Sequence, residues 1–494
     1  MTNEHEMSAA LPSTGGNADL WTVLVYMAAD NNLGEECVFA LTEMLRAGAH
    51  EELNLMAQFD AGTKVMRYDF RELRGGEGRA GARRAAVRVG DLAQEVRFEQ
   101  DDDGGRRWEG QTRPPEEVPD AKKLEDFLAK AILATRKPAA ATANREAKAG
   151  ELASAAPYLV VLSGHGSGAV GDFLNTENPP DSLSIPRLRD VLEKVRHELG
   201  REIDVLGMDS CLMSMAEVGY ELRGTVNFMV GAEGFQRNTG WPYHNILAAL
   251  RDDPQQEPRR LARAIVEQHI SYYADYTAAN VSVDHAACDL RQSEALKLGM
   301  TELARVLTER LEYPEVRDAI LLAHWRAQSY KSEQYVDLWD FCHLLEQGCA
   351  DSDVNAACAK ARDAVEQFVM LACFSGAAFQ HSHGLSVYFP WSKSDLERDL
   401  PAYRQLAFSS ETGWANFLEA YGRVTQREVR DKSGSNKEGE CRELSMPPRG
   451  EAEANVRDFP AVHQRGPMLR EARVKNPPDR YQQCEDDCAG RFSE

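Results

Sequence analysis

Short apolar runs bounded by polar residues recur through the first half of the chain, each with the length of a buried strand rather than of a helix. They are LWTVLVYM at 20–27, LNLMAQFD at 53–60, YLVVLSG at 158–164, IDVLGMD at 203–209 and NFMVGAEG at 227–234. KVMRYDF, from Lys64, alternates as a further strand would. Helical patterns lie between these runs. Val38, Leu41, Met44 and Leu45 share one face of a helix that Asp30 or Asn31 can cap. Residues 124–134 and 185–199 read as two more helices. Strand and helix alternate repeatedly, which predicts an α/β fold: a mostly parallel sheet flanked by helices.

Residues 20–250 hold this sheet-forming pattern. Residues 251–425 read as a mainly helical domain that completes the fold, with one apolar strand, GLSVYFP, at 384–390. Two polar stretches interrupt the first unit: about 74–115, with GGEGRAGARR and EQDDDGGRR, and about 136–155, rich in Ala. Neither has the apolar content to pack, so both are predicted to be surface insertions. Residues 1–19 read as a flexible terminus, and 426–494 as a charged, disordered tail.

The charge balance narrows the partners. The chain carries 57 Lys+Arg against 79 Asp+Glu, a net charge of −22. A phosphate-binding surface needs a basic footprint, so nucleic acid is not an expected partner. No apolar run reaches the roughly 18 residues needed to cross a membrane, and no basic stretch followed by an apolar run opens the sequence. The ten cysteines are scattered at irregular spacings, unlike a disulfide scaffold, and are expected to be reduced and buried. Together these features predict a cytoplasmic protein without membrane association, with non-standard secretion left open as the alternative.

Two motifs carry chemistry. VVLSGHGSG places His165 just past an apolar strand among Gly164, Gly166 and Gly168, on the edge where open α/β sheets bind ligands. IDVLGMDSCLMSMAEVGYEL runs a strand into Asp209, Ser210 and Cys211, and 212–222 then reads as helix. A helix N-terminus there would stabilise a thiolate and supply backbone donors. Singly, each motif has a plain structural explanation: a glycine turn, and a small buried cysteine. Paired on consecutive strands of one sheet edge, a thiol and an imidazole make the minimal unit for nucleophilic attack on a carbonyl.

Six ordered blocks then carry a resemblance: WTVLVYMAADNNL at 21–33, LSGHGSG at 162–168, MDSCLMSMAEVGYEL at 208–222, GWPY at 240–243, DLWDF at 337–341 and GLSVYFP at 384–390. Together they resemble the clostripain family of cysteine peptidases, in the caspase-like fold group that also includes caspases, gingipains and legumains. The resemblance spans roughly residues 20–425. It implies a caspase-like fold and protein or peptide substrates. It makes Cys211 the nucleophile and His165 the group that protonates the leaving amine and later activates water. The N–H groups of Gly166 and Cys211 would form the oxyanion hole. Asp209 would line the primary specificity pocket and select Arg or Lys, with a helix cap ahead of Leu212 as its plain structural alternative. The chain departs from the family in AEGFQRNTGWPY, where Arg237 adds a positive charge near the expected pocket.

The resemblance also implies a zymogen that cuts itself, with Arg136, Lys137, Arg145 and Lys148 as candidate processing sites and Arg79 and Arg83 as further ones. The chemistry requires no cofactor. Calcium enters through the resemblance alone, because the chain has no EF-hand loop.

Other residues have weaker claims. Asp30 and Asp60 end strands on the presumed active edge and could orient His165 or line a subsite, with caps and turns explaining them equally well. His381 and His383 form an HxH pair with no third metal ligand nearby. Cys484 and Cys488 form a CxxxC pair, for which a zinc site would need two more ligands and a disulfide is the alternative. Ser210 lacks the GxSxG context of a serine hydrolase. Two rival readings stay open: a catalytically silent scaffold or binding protein, and a transpeptidase or ligase using the same pair.

Overall fold

The computed structural model describes residues 21–47, 53–61, 64–69, 85–89, 92–96, 99–100, 106–107, 120–135, 156–177, 180–274, 281–330 and 334–434. Ten strands form one sheet: β1 (Trp21–Ala28), β2 (Leu53–Ala61), β3 (Lys64–Asp69), β4 (Ala85–Val89), β5 (Leu92–Val96), β6 (Tyr158–Ser163), β7 (Ile203–Asp209), β8 (Val226–Gly231), β9 (Val283–Asp289) and β10 (Val369–Ser375). Their order is β10-β9-β8-β7-β6-β1-β2-β3-β4-β5. The centre, β2-β1-β6-β7-β8, is parallel. Antiparallel strands close both sides, β9 and β10 at one end and β3 to β5 at the other.

The period of two in the central strands divides their side chains between two cores. On β1, Leu24, Tyr26 and Ala28 face one cluster, while Trp21, Val23, Val25 and Met27 face the other. Helices α2 (Asp120–Thr135) and α3 (Ile185–Leu199) pack on the first face. The opposite face is covered by α1 (Gly34–Ala47), α5 (Tyr243–Asp252) and α6 (Pro258–Ala274). Helix α3 shows how firmly local chemistry sets these bounds. Ser184 caps its N-terminus by accepting from Arg187 N, and Gly200 ends it in the left-handed conformation.

Three expectations change. The 74–115 stretch is not only surface insertion, because β4 and β5 lie within it and extend the sheet as a hairpin. Residues 251–425 carry the expected helices, α7 (Ser293–Arg310), α8 (Pro314–Arg326), α9 (Leu338–Gly348) and α10 (Ser352–Phe368) among them. They also supply β9 and β10 to the main sheet, so both halves of the chain build one sheet. The last described helix, Trp414–Gly434, runs past residue 426, where the tail was expected to begin. Residues 1–19, 136–155 and 435–494 lie outside the described residues.

Candidate active site

Strands β6 and β7 are parallel neighbours, with Ser163 opposite Asp209. Each chain then leaves the sheet at the same height, so His165 and Cys211 emerge side by side at the carboxyl edge, each two residues past that pair. Gly164 N donates to Asp209 O at 3.3 Å and ties the two exits together. A Cβ at Gly166 would stand 2.3 Å from Cys211 O, so only glycine lets the histidine loop lie against the cysteine loop. Cys211, His165, Asp209 and Arg237 all line one pocket of about 470 Å³ that opens to solvent.

The local support of Cys211 differs from the sequence expectation. The following helix, α4 (Ala216–Glu221), is only six residues long and starts five residues after Cys211. A helix N-terminus therefore does not face the sulfur, since the dipole's influence fades within one turn. Leu212 instead takes φ +63, an uncommon left-handed conformation for a side chain other than glycine. It is held there by bonds from Leu212 N to Gly234 O (3.0 Å) and from Ser214 N to Ala232 O (2.8 Å). The segment after β8 thus cradles the cysteine loop. It also supplies a donor: Gln236 N–H points at Cys211 Sγ from 3.2 Å, a bond that strengthens when the sulfur is ionised. The second thiol in the pocket, Cys37, is pushed strongly upward by burial and by the Asp209 and Glu36 carboxylates, so it stays protonated.

His165 Nε2 lies 2.5 Å from Asn32 Oδ1. An amide oxygen only accepts, so His165 Nε2 is the donor in this contact. Asn32 belongs to the loop after β1, where Asn31 accepts from Leu33 N at 2.9 Å. Asp30 and Asp60, the acidic candidates for this orienting role, make no hydrogen bond to His165 among the described residues. The structure puts Asp60 elsewhere: buried, accepting from Tyr26 Oη at 2.9 Å and paired with Lys123 at 3.2 Å. Asp30 serves the loop through its carbonyl, which accepts from Glu177 N at 2.9 Å.

Asp209 is buried in the pocket wall and does not cap a helix. Its Oδ2 accepts from Tyr243 Oη (2.9 Å) and Ser163 Oγ (3.1 Å), and the carboxylate also accepts from Trp241 N. Burial raises its carboxyl to about 6, against these hydrogen bonds. Arg237 shares the pocket, and its buried Nε has no hydrogen-bond partner among the described residues. His383 is not a metal ligand. Its backbone N–H donates to Asp337 Oδ2, its ring Nδ1 lies 3.2 Å from Asp337 Oδ1 without a hydrogen bond among the described residues, and the ring stacks on Trp339. His381 is exposed. Among the described residues no three His, Cys, Asp or Glu side chains are arranged to hold a metal ion. Arg136, Lys137, Arg145, Lys148, Arg79, Arg83, Cys484 and Cys488 lie outside the described residues.

Comparison with known proteins decides the family. The sequence model of Peptidase_C11, the clostripain family, matches residues 149–421, more than half of the 494. The chain belongs to the clostripain family. It is a cysteine peptidase, a hydrolase acting on peptide bonds. No curated protein matches the sequence. Three solved structures share the clostripain fold. A secreted C11 cysteine protease from Bacteroides thetaiotaomicron, bound to an irreversible peptide inhibitor, is 18% identical with a TM-score of 0.54, covering 80% of this chain and 99% of that one. An inactive zymogen C11 protease from Parabacteroides distasonis is 15% identical with a TM-score of 0.52, covering 82% and 99%. A further secreted B. thetaiotaomicron C11 protease, iotapain, is 14% identical with a TM-score of 0.51, covering 80% and 99%.

These matches overturn the cytoplasmic expectation, since two of the three are described as secreted. Its physical basis was weak. Six of the seven described cysteines are buried, but a buried thiol reports packing and not compartment. No described helix is long and apolar enough to cross a membrane.

Proposed function

We propose that this clostripain-family peptidase cleaves peptide bonds after Arg or Lys through a Cys211–His165 dyad. The observation that carries the reading is the shared pocket, which brings the thiol, the imidazole and the buried Asp209 carboxylate together at one sheet edge. Cys211 passes its proton to His165 and its Sγ attacks the scissile carbonyl, and His165 gives that proton to the amine as the C–N bond breaks, leaving the thioester. Water, deprotonated by His165, then hydrolyses the thioester. Backbone N–H groups of Gly166 and Cys211 receive the oxyanion, each contributing about 3–4 kcal/mol to the lowered barrier. The sequence of steps needs no cofactor.

Asp209 selects a basic side chain because an ionised buried carboxylate with only neutral donors lacks a cationic partner. Arg237 opposes a second positive charge and restricts how deeply the basic group enters. Self-cleavage at Arg136, Lys137, Arg145 or Lys148 follows from the same preference, and the P. distasonis relative described as an inactive zymogen supports a latent form.

The test is a panel of fluorogenic peptides ending in Arg, Lys, Asp, Asn or Leu, with Asp209→Ala beside the wild type and self-cleavage followed on a gel. Cleavage after Arg or Lys that loses its preference in Asp209→Ala supports the pocket assignment. Turnover after another residue assigns specificity to Arg237 instead. Transfer of the acyl group to an added amine in place of water would favour the ligase reading, and a full absence of turnover with Cys211 unlabelled by a thiol probe would favour the scaffold.

A further inference from the structure

The segment after β8 is held from behind by two consecutive residues of β9. Asp284 accepts the N–H groups of Glu233 (2.7 Å) and Gly234 (3.0 Å). The next residue, His285, meets the side chain of Gln236, with Nε2 and Nδ1 3.3 Å apart. An amide nitrogen only donates, so His285 Nδ1 accepts. The imidazole is fully enclosed. It stacks on His269 of α6 at 4.3 Å between centroids and 15° between planes, and Trp241 meets it edge-on at 5.3 Å. Burial lowers its pKa to about 3, so the ring stays a neutral acceptor at any working pH.

Gln236 therefore has a fixed contact at each end. Its side chain ends on His285, and its backbone N–H ends on Cys211 Sγ. We propose that Gln236 and His285 are a positioning pair that aims the Gln236 N–H at the nucleophilic sulfur and so sets how readily Cys211 ionises. The inference rests on Cys211 being the nucleophile. With the short helix α4 starting five residues downstream, this N–H does the work that a helix N-terminus does for other thiolates. A hydrogen bond favours the charged form only while its geometry is held. Gln236 stands at the root of the loop that continues through Arg237 to Gly240 along the pocket. Pinning its side chain keeps that loop from turning the peptide plane away.

The full chain is tested by following iodoacetamide alkylation of Cys211 against pH, with the modified peptide located by mass spectrometry. His285→Phe keeps a stacking ring and removes the acceptor. Gln236→Leu removes the donor and keeps His285, and His285→Asn restores an acceptor near Nδ1. The pair predicts that His285→Phe and Gln236→Leu each raise the alkylation midpoint by about one pH unit. In both, kcat falls about tenfold with KM unchanged, and His285→Asn recovers most of both effects. Folded His285→Phe and Gln236→Leu proteins with the wild-type midpoint would overturn the inference, and Gln236→Leu decides alone if His285→Phe fails to fold. Hydrolysis that persists in Cys211→Ala would defeat the parent reading instead, whatever the midpoints.

Discussion

A Cβ added at Gly240 would stand 2.9 Å from Asp209 Oδ2. The backbone at Gly240 also takes φ +64, which other residues adopt only with strain. The wall of the pocket beside the buried carboxylate is thus bare main chain. Gly240→Ala is predicted to raise KM for Arg substrates about tenfold or more while costing about 1 kcal/mol of stability. The alkylation rate of Cys211 should not change, because the sulfur is met by Gln236 N–H and not by Gly240. Steady-state kinetics with a thermal melt check this, and an unchanged KM would separate Asp209 from substrate binding.

The Asp209 carboxyl, at about 6 against an ordinary 3.8, titrates in an accessible range. Its folded-state pKa lies above the unfolded one, so its contribution to stability is full below about pH 4 and is lost as pH rises through about 6. Ionisation works against the fold and in favour of binding a cation. KM for an Arg substrate should therefore climb as pH falls below about 6, while KM for a neutral substrate stays flat. Asp209→Asn should remove the difference. Parallel pH profiles on both substrates would contradict the assignment.

Glu217 of α4 gives a purely structural pH effect. It is fully buried, and its Oε1 accepts from Tyr388 N and Tyr403 Oη at 2.9 Å each. Burial raises its carboxyl to about 7. Stability from this group is full below about pH 4.5 and is lost as pH rises through about 7. Relative to wild type, Glu217→Gln should gain on the order of 2–3 kcal/mol between pH 4.5 and 8. Urea unfolding at the two pH values measures it, and a pH-independent gap would refute the burial argument.

Asn32→Ala should lower kcat about 10- to 100-fold with little change in KM, since it frees the His165 ring to rotate and to exchange tautomers. Asn32→Asp should retain more activity, because a carboxylate accepts at the same position. Equal losses in the two variants would remove the orienting role.

Much of the fold was legible because the central strands are buried on both faces and read as continuous apolar runs. The 203–209 and 185–199 segments match β7 and α3 to the residue. Of the helix expected over 212–222 only Ala216–Glu221 forms, because Leu212, Met213 and Met215 are apolar for a different reason. They are buried in a non-helical loop, held by backbone bonds to residues some 20 positions away. The 85–96 hairpin was hidden by its polar surroundings. Cys211, His165 and Asp209 stood out by their place after apolar strands. Asn32, Gln236 and His285 did not, because an amide or a buried imidazole carries no local signature and gains its role only from tertiary contact. An isolated glutamine after NFMVGAEGF gives no reason to look for a thiol.

The most direct measurement is hydrolysis of an Arg-terminated fluorogenic peptide by wild type, Cys211→Ala and His165→Ala, each shown to be folded by its melt and each offered a peptide-based thiol-reactive inhibitor. The account predicts turnover and labelling of Cys211 in the wild type alone, with neither in Cys211→Ala and turnover reduced by at least about a thousandfold in His165→Ala. Wild-type rates in a folded Cys211→Ala protein, or labelling at another thiol such as Cys37, would contradict it.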